Sequence, residues 1–152
     1  MPDKPEGILN MKTVDHIAIV VNDARKVAKA WESMLGIGPW AFQERGGTSP
    51  SGQKIRVLIA YAYTENGVEF ELIEPVEGRI FHSDYLENVG EGLHHVAYAV
   101  DDVDGDTEKL VAQGAKVVLG QPGAYSYLRF EGDGGVITEL MGKHPPFQDQ
   151  SS

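Results

Sequence analysis

The first patterned stretch, residues 14–21, is apolar and β-branched, and predicts a strand buried on both faces. Asn22 or Asp23 follows as a helix cap. Val27, Ala30, Trp31 and Leu35 then recur at helical spacing, so a helix over 24–35 with Gly36 as its stop is expected. Residues 40–44 and 55–63 read as strands. Between them, 46–52 is rich in Gly, Ser and Pro and reads as a flexible loop and a candidate lid. Asn66-Gly67 is a hairpin turn signal. It leads into a strand over 68–73 that Pro75 is expected to end. Residues 79–89 read as a short linking helix, closed by Gly90 and Gly92.

The pattern then restarts. Residues 95–100 read as a strand. Asp101, Asp102 or Asp104 caps a second helix that Gly114 ends, and 116–119, 126–130 and 136–141 read as strands. The halves align residue by residue. Asp15-His16-Ile17-Ala18 matches His94-His95-Val96-Ala97, and Gly67-Val68-Glu69-Phe70-Glu71-Leu72 matches Gly135-Val136-Ile137-Thr138-Glu139-Leu140. Each half is strand–helix–strand–strand–strand, with a His on its first strand and a Glu on its last. A two-copy repeat is too short for a solenoid. The expected organisation is one structural domain: an N-terminal extension (1–13), a first βαβββ module (14–75), a linker with a short helix (76–93), a second βαβββ module (94–142) and a flexible tail (143–152).

Strand alternation sorts the candidate chemistry. His16 shares its face with Ala18 and Val20, and His95 with Ala97 and Ala99, while the bulkier apolar residues face the helices. Small neighbours leave room beside each imidazole. Glu71 and Glu139 lie between apolar neighbours on their strands, a poor place for a simply solvated carboxylate. Imidazole and carboxylate together suit a divalent metal ion (Co, Ni, Mn, Zn or Fe), so His16, Glu71, His95 and Glu139 are the expected ligands. Four protein ligands leave two positions of an octahedron for water or substrate, an arrangement for Lewis-acid chemistry. Other candidates are weaker. His94 should point away from His95 and be packed or exposed. Glu69 is expected to be solvated at its strand's start and His82 exposed on the linking helix. Ser126, Tyr125 and Tyr127 are possible substrate contacts that no spacing singles out. No Gly-x-Ser-x-Gly elbow occurs, and no helix follows the lysine of Gly52-Gln53-Lys54 as a phosphate loop requires.

Composition narrows the classes. The chain has 152 residues, 13 Lys+Arg against 23 Asp+Glu, and a net charge of −10. That balance disfavours nucleic acid and anionic membrane as partners. With no Cys, thiolate metal sites, disulfides and a Cys nucleophile are excluded. No apolar run approaches the ~20 residues of a membrane helix, and no signal-peptide core is evident, so a cytoplasmic location is expected.

These residues resemble the vicinal oxygen chelate superfamily, the glyoxalase/bleomycin-resistance fold. The resemblance rests on Asp15-His16-Ile17-Ala18-Ile19-Val20, Leu35-Gly36-Ile37-Gly38, Glu71-Leu72-Ile73-Glu74-Pro75 and Gly135-Val136-Ile137-Thr138-Glu139-Leu140. The stretch Asp84-Tyr85-Leu86-Glu87-Asn88-Val89-Gly90-Glu91-Gly92-Leu93-His94-His95-Val96-Ala97 is most similar to the methylmalonyl-CoA epimerase group. The resemblance implies an α+β fold, with two βαβββ modules forming an open, incompletely closed mixed β-barrel around one divalent metal. It implies the same four ligands, with Glu139 doubling as catalytic base. The implied reaction is epimerisation or isomerisation: proton removal beside a carbonyl or thioester, with the metal stabilising the enolate. The implied partners are a small-molecule substrate, an acyl-CoA among the candidates, and a second copy in a homodimer. A glyoxalase I-type lyase and a non-catalytic drug-binding protein of the bleomycin-resistance type are the alternatives. One departure stands out: Ser51, Gly52 and Gln53 lie where epimerases of this group carry a second catalytic Glu. Arg45, Lys54 and Arg56 are the candidate cluster for CoA phosphates.

Overall fold

The computed structural model describes residue 3 and residues 5–144. The expected tail therefore lies outside the described residues from position 145 onward. Residues 16–94 form one compact unit, and residues 95–144 form another together with the N-terminal segment up to Asp15.

The first module runs β1 (Val14–Val20), α1 (Ala24–Leu35), β2 (Ala41–Thr48), β3 (Lys54–Tyr63) and β4 (Glu69–Glu77). Its sheet order is β2-β3-β4-β1, with β1 parallel to β4 and the other pairs antiparallel. Helix α1 starts where Asp23 accepts the Lys26 N–H (3.0 Å) and stops where Gly36 turns left-handed at φ 67°. Its apolar stripe, Ala24, Val27, Ala28 and Trp31, packs on Leu58, Ala60, Ala62 and Leu72. Trp40 closes this core, and its indole N–H donates to the Ile37 carbonyl (2.9 Å).

Two expectations fail here for definable reasons. Residues 46–48 are not a loop: Gly46, Gly47 and Thr48 pair with Arg56, Ile55 and Lys54, so β2 and β3 meet in a tight hairpin. Ser49 closes it, exchanging backbone hydrogen bonds with Gln53 and Gly52. No long lid is present there. Pro75 does not end β4, which continues to Glu77. A register shift next to Arg56 and Val57 lets Pro75 lie opposite Val57, a bulged position that tolerates a missing N–H.

The linking helix is shorter than 79–89: α2 covers Ser83–Asn88. The second module then repeats the plan as β5 (Gly92–Ala99), α3 (Val103–Ala112), β6 (Lys116–Gln121), β7 (Tyr125–Arg129) and β8 (Ile137–Met141), in sheet order β5-β8-β7-β6. Asp102 caps α3 by accepting the Gly105 N–H (2.9 Å). This module's core is thinner. Ala115, Leu128 and Leu140 are buried, with Tyr98, Val100 and Leu110 around them, and the N-terminal Leu9 and Met11 pack over the top. No helix among the described residues is long and apolar enough to cross a membrane.

Candidate functional site

In the first module, parallel pairing sets Glu69 opposite His16 and Glu71 opposite Ala18. Residues two apart share a face, so all four point to the side away from α1. His16 stands between the carboxylates: Nε2 is 3.4 Å from Glu71 and Nδ1 is 3.7 Å from Glu69. All three side chains are buried. The Tyr63 hydroxyl donates to Glu69 at 2.5 Å. Glu69 is therefore not solvated, as its place at the strand's start suggested. It lies against the imidazole edge opposite Glu71. Tyr61 faces Glu71 across the β3–β4 pairing; its hydroxyl accepts from Arg45 (3.1 Å) and lies 3.4 Å from Gln43. Burial, reinforced by the negative charge of Glu71, raises the Tyr61 phenol well above its ordinary value, so it stays protonated at neutral pH.

The second module reproduces the pair in the same register. Glu139 lies opposite Ala97, as Glu71 lies opposite Ala18. His95 Nε2 is 3.5 Å from the Glu139 carboxylate, with His95 fully buried and Glu139 nearly so. Tyr127, across the ladder from Glu139, sets its ring edge-to-face on His95 at 4.9 Å. Where the first module has Glu69, this one has Ile137, so the flanking carboxylate is particular to His16. Ala18 and Ala97 are fully buried, and neither adds bulk beside its histidine. Within each module the structure thus brings the expected His and Glu together.

The weaker candidates separate. Ser126 points to the α3 side, where its hydroxyl meets that of Thr107 (2.7 Å), so it is not on the His95 face. Tyr125 stacks edgewise on Tyr127 (5.7 Å). Two of the three candidate phosphate-binding residues have partners within the first module. Arg45 is committed to Gln43 and Tyr61, and Arg56 to Glu44 (3.3 Å) and Glu77 (3.6 Å). Tyr61, Tyr63 and the buried role of Glu69 escaped the sequence reading. The available signal was register: once β3 is paired with β4, Tyr61 and Tyr63 fall opposite Glu71 and Glu69.

His94 is packed, as expected, among Phe81, His82 and Tyr85. His82 differs from expectation. Both its ring nitrogens are buried and its ring lies 4.4 Å from that of His94. Burial first, and the neighbouring His94 second, push the His82 imidazolium down to about 3 from its ordinary value near 6.5. The folded state therefore holds His82 neutral in the range where the unfolded chain takes up a proton. Stability is full above the unfolded value and falls as pH drops toward the folded one. Urea unfolding should show a loss of about 1–2 kcal/mol from this group between pH 7 and pH 5. In His82→Phe that part of the slope should vanish; an unchanged slope would show that His82 does not carry it.

A repeated α+β module bearing a buried His–Glu pair on matched strands defines the class of protein: a two-module fold with imidazole and carboxylate donors and no thiolate. Residues 15–130 match the family model of the Glyoxalase/Bleomycin resistance protein/Dioxygenase superfamily, and the chain belongs to that superfamily. The Bacillus subtilis (strain 168) protein YqjC is 29% identical over 108 residues, 71% of either chain. Among solved structures, a variant of Streptomyces coelicolor methylmalonyl-CoA epimerase in complex with 2-nitronate-propionyl-CoA is similar with a TM-score of 0.66. Its identity is 23%, and the match covers 90% of this chain and 100% of that one. Methylmalonyl-CoA epimerase from Mycobacterium tuberculosis is similar at TM-score 0.67 and 22% identity, covering 89% and 90%. At these identities the structural likeness shows a common fold.

Proposed function

We propose that this protein is a metal-dependent epimerase or isomerase that removes a proton beside a carbonyl or thioester, with an acyl-CoA as the substrate class. One observation carries the reading: a buried His–Glu pair recurs in the same strand register in both modules. The donor chemistry fits one divalent ion of the Co, Ni, Mn, Zn or Fe type, held by His16, Glu71, His95 and Glu139. The solved relatives include epimerases bound to 2-nitronate-propionyl-CoA and methylmalonyl-CoA, which supports the substrate class.

A bound ion would supply Lewis-acid stabilisation of the negative charge that develops on the carbonyl oxygen. The chain's residues supply the rest. Glu69 sets a buried carboxylate 3.7 Å from the Nδ1 edge of His16, leaving Nε2 on the side of Glu71. Glu139, buried beside His95, takes the proton from carbon. Tyr127 fixes the plane of His95. Return of a proton to the opposite face of the carbon completes epimerisation. On the first module's side of the chemistry, Tyr61, protonated at neutral pH and opposite Glu71 in the ladder, supplies that proton in place of the carboxylate that residues 51–53 lack.

The test is exchange of solvent deuterium into the α-carbon of an acyl-CoA panel that includes methylmalonyl-CoA, with metal-reconstituted protein. Exchange that chelator abolishes is expected. No exchange on any member, with turnover of a thiol–aldehyde adduct instead, would replace this reading with the glyoxalase-type lyase.

A further inference from the structure

The second module contains a cavity of about 850 Å³ on the α3 side of its sheet. Tyr98 and Thr138 line it, and strand alternation puts them on the opposite face from His95 and Glu139. Leu9, Met11, Leu110 and Phe130 supply most of the remaining apolar wall. The N-terminal segment is tied down beside it, the Thr13 carbonyl accepting the Ala99 N–H (3.2 Å).

The first module shows what this space is missing. Both helices begin directly after a capping Asp, Asp23 or Asp102. Counted from these caps, Trp31 corresponds to Leu110. Phe70 lies opposite Ile17 in its ladder and Thr138 lies opposite Val96, so Phe70 corresponds to Thr138. In the first module Trp31 packs edge-to-face on Phe70 at 5.3 Å and on Trp40 at 6.0 Å. The second module has exchanged that aromatic pair for Leu110 and Thr138, and both replacements line the cavity. An internal repeat that keeps the fold but gives up these two rings, with Tyr98 in the place of Ile19 and Leu9 and Met11 packed alongside, leaves room for a planar ring beside Leu110 and Thr138.

Charge restricts what such a ring carries. Among the described residues, Glu131 is the one charged residue lining the cavity. Gln113 and Gly114 also line it, just past the last turn of α3, the negative end of that helix. Lys109, the basic residue of that turn, reaches Asp106 (3.6 Å) and is not among the lining residues. Both contributions have the same sign and favour a cation. The volume falls in the ~300–1,000 Å³ range of small-molecule sites. We propose that this cavity is a second binding site, separate from the His–Glu pairs, for an aromatic amine whose ring takes the place of the Trp31–Phe70 pair and whose ammonium faces Glu131.

The full-length protein labelled with ¹³C at its methionine methyls tests this, with tryptamine as the probe and indole-3-propionate as the same ring with the opposite charge. Tryptamine is expected to shift the Met11 methyl saturably and to leave Met34 and Met141 unmoved, with indole-3-propionate binding at least about tenfold more weakly. Glu131→Gln should remove most of that difference. Leu110→Trp and Thr138→Phe, two independent ways of refilling the space, should each abolish the Met11 shift and raise the unfolding temperature where the variant folds. Equal binding of the two probes, a shift at Met141 instead of Met11, or no saturable shift would overturn the proposal. So would a dimer that Leu110→Trp dissociates, because a second copy would then be the occupant.

Discussion

Glu139→Ala is expected to lose α-proton exchange by roughly 10²–10⁴-fold, the range typical of removing a general base. Two losses combine in this one residue. Its carboxylate is 3.5 Å from His95 Nε2, so the substitution takes away half of the second module's donor pair. It also takes away the group proposed to receive the proton. Glu139→Gln separates the two: it keeps the shape and an oxygen donor but cannot accept the proton, so exchange should fall while part of the metal affinity remains. His95→Ala should fall through metal loss alone and be partly recovered by excess metal. Near-full exchange in Glu139→Ala, measured by loss of the α-proton NMR signal in deuterium oxide, would remove Glu139 from the chemistry.

Trp40→Ala is expected to cost about 3–5 kcal/mol of stability. The side chain is 8% exposed, packs edgewise on Trp31 and donates its indole N–H to Ile37. The loss thus combines a large cavity with an orphaned carbonyl. Domains of this size are stable by only about 5–15 kcal/mol, so the variant should sit near its unfolding threshold at 37 °C. The urea midpoint should fall with little change in slope. Leu110→Ala in the second module, next to space that is already empty, should cost distinctly less. A Trp40→Ala cost below about 1 kcal/mol would mean that the ring is not part of the first module's core.

Much of this was legible in the chain. Helix α1 was readable end to end because Asp23, the apolar stripe and Gly36 all agree on its limits. The repeat was readable because His16 and His95, and Glu71 and Glu139, recur beside small and apolar neighbours on strands of the same kind. Other features depended on pairing that local pattern does not encode. The extent of β2 through Gly46, Gly47 and Thr48 comes from the β3 ladder and overrides the turn-forming composition of that stretch. The survival of β4 past Pro75 needs a bulge that only the partner strand reveals. Glu69 looked like an ordinary charged residue at a strand start; Tyr63 and His16, brought to it by register, make it a buried one. His82 looked exposed because its helix is short and polar, yet its ring turns inward onto His94.

The central claim is that His16, Glu71, His95 and Glu139 hold one metal ion. Metal content by mass spectrometry on tag-free protein tests it most directly, with Glu139→Ala measured alongside. The account predicts about one divalent ion per chain, sharply reduced in the variant. Protein that stays metal-free after reconstitution with Co, Ni, Mn, Zn and Fe would contradict it, and the paired histidines and carboxylates would then be features of a binding pocket.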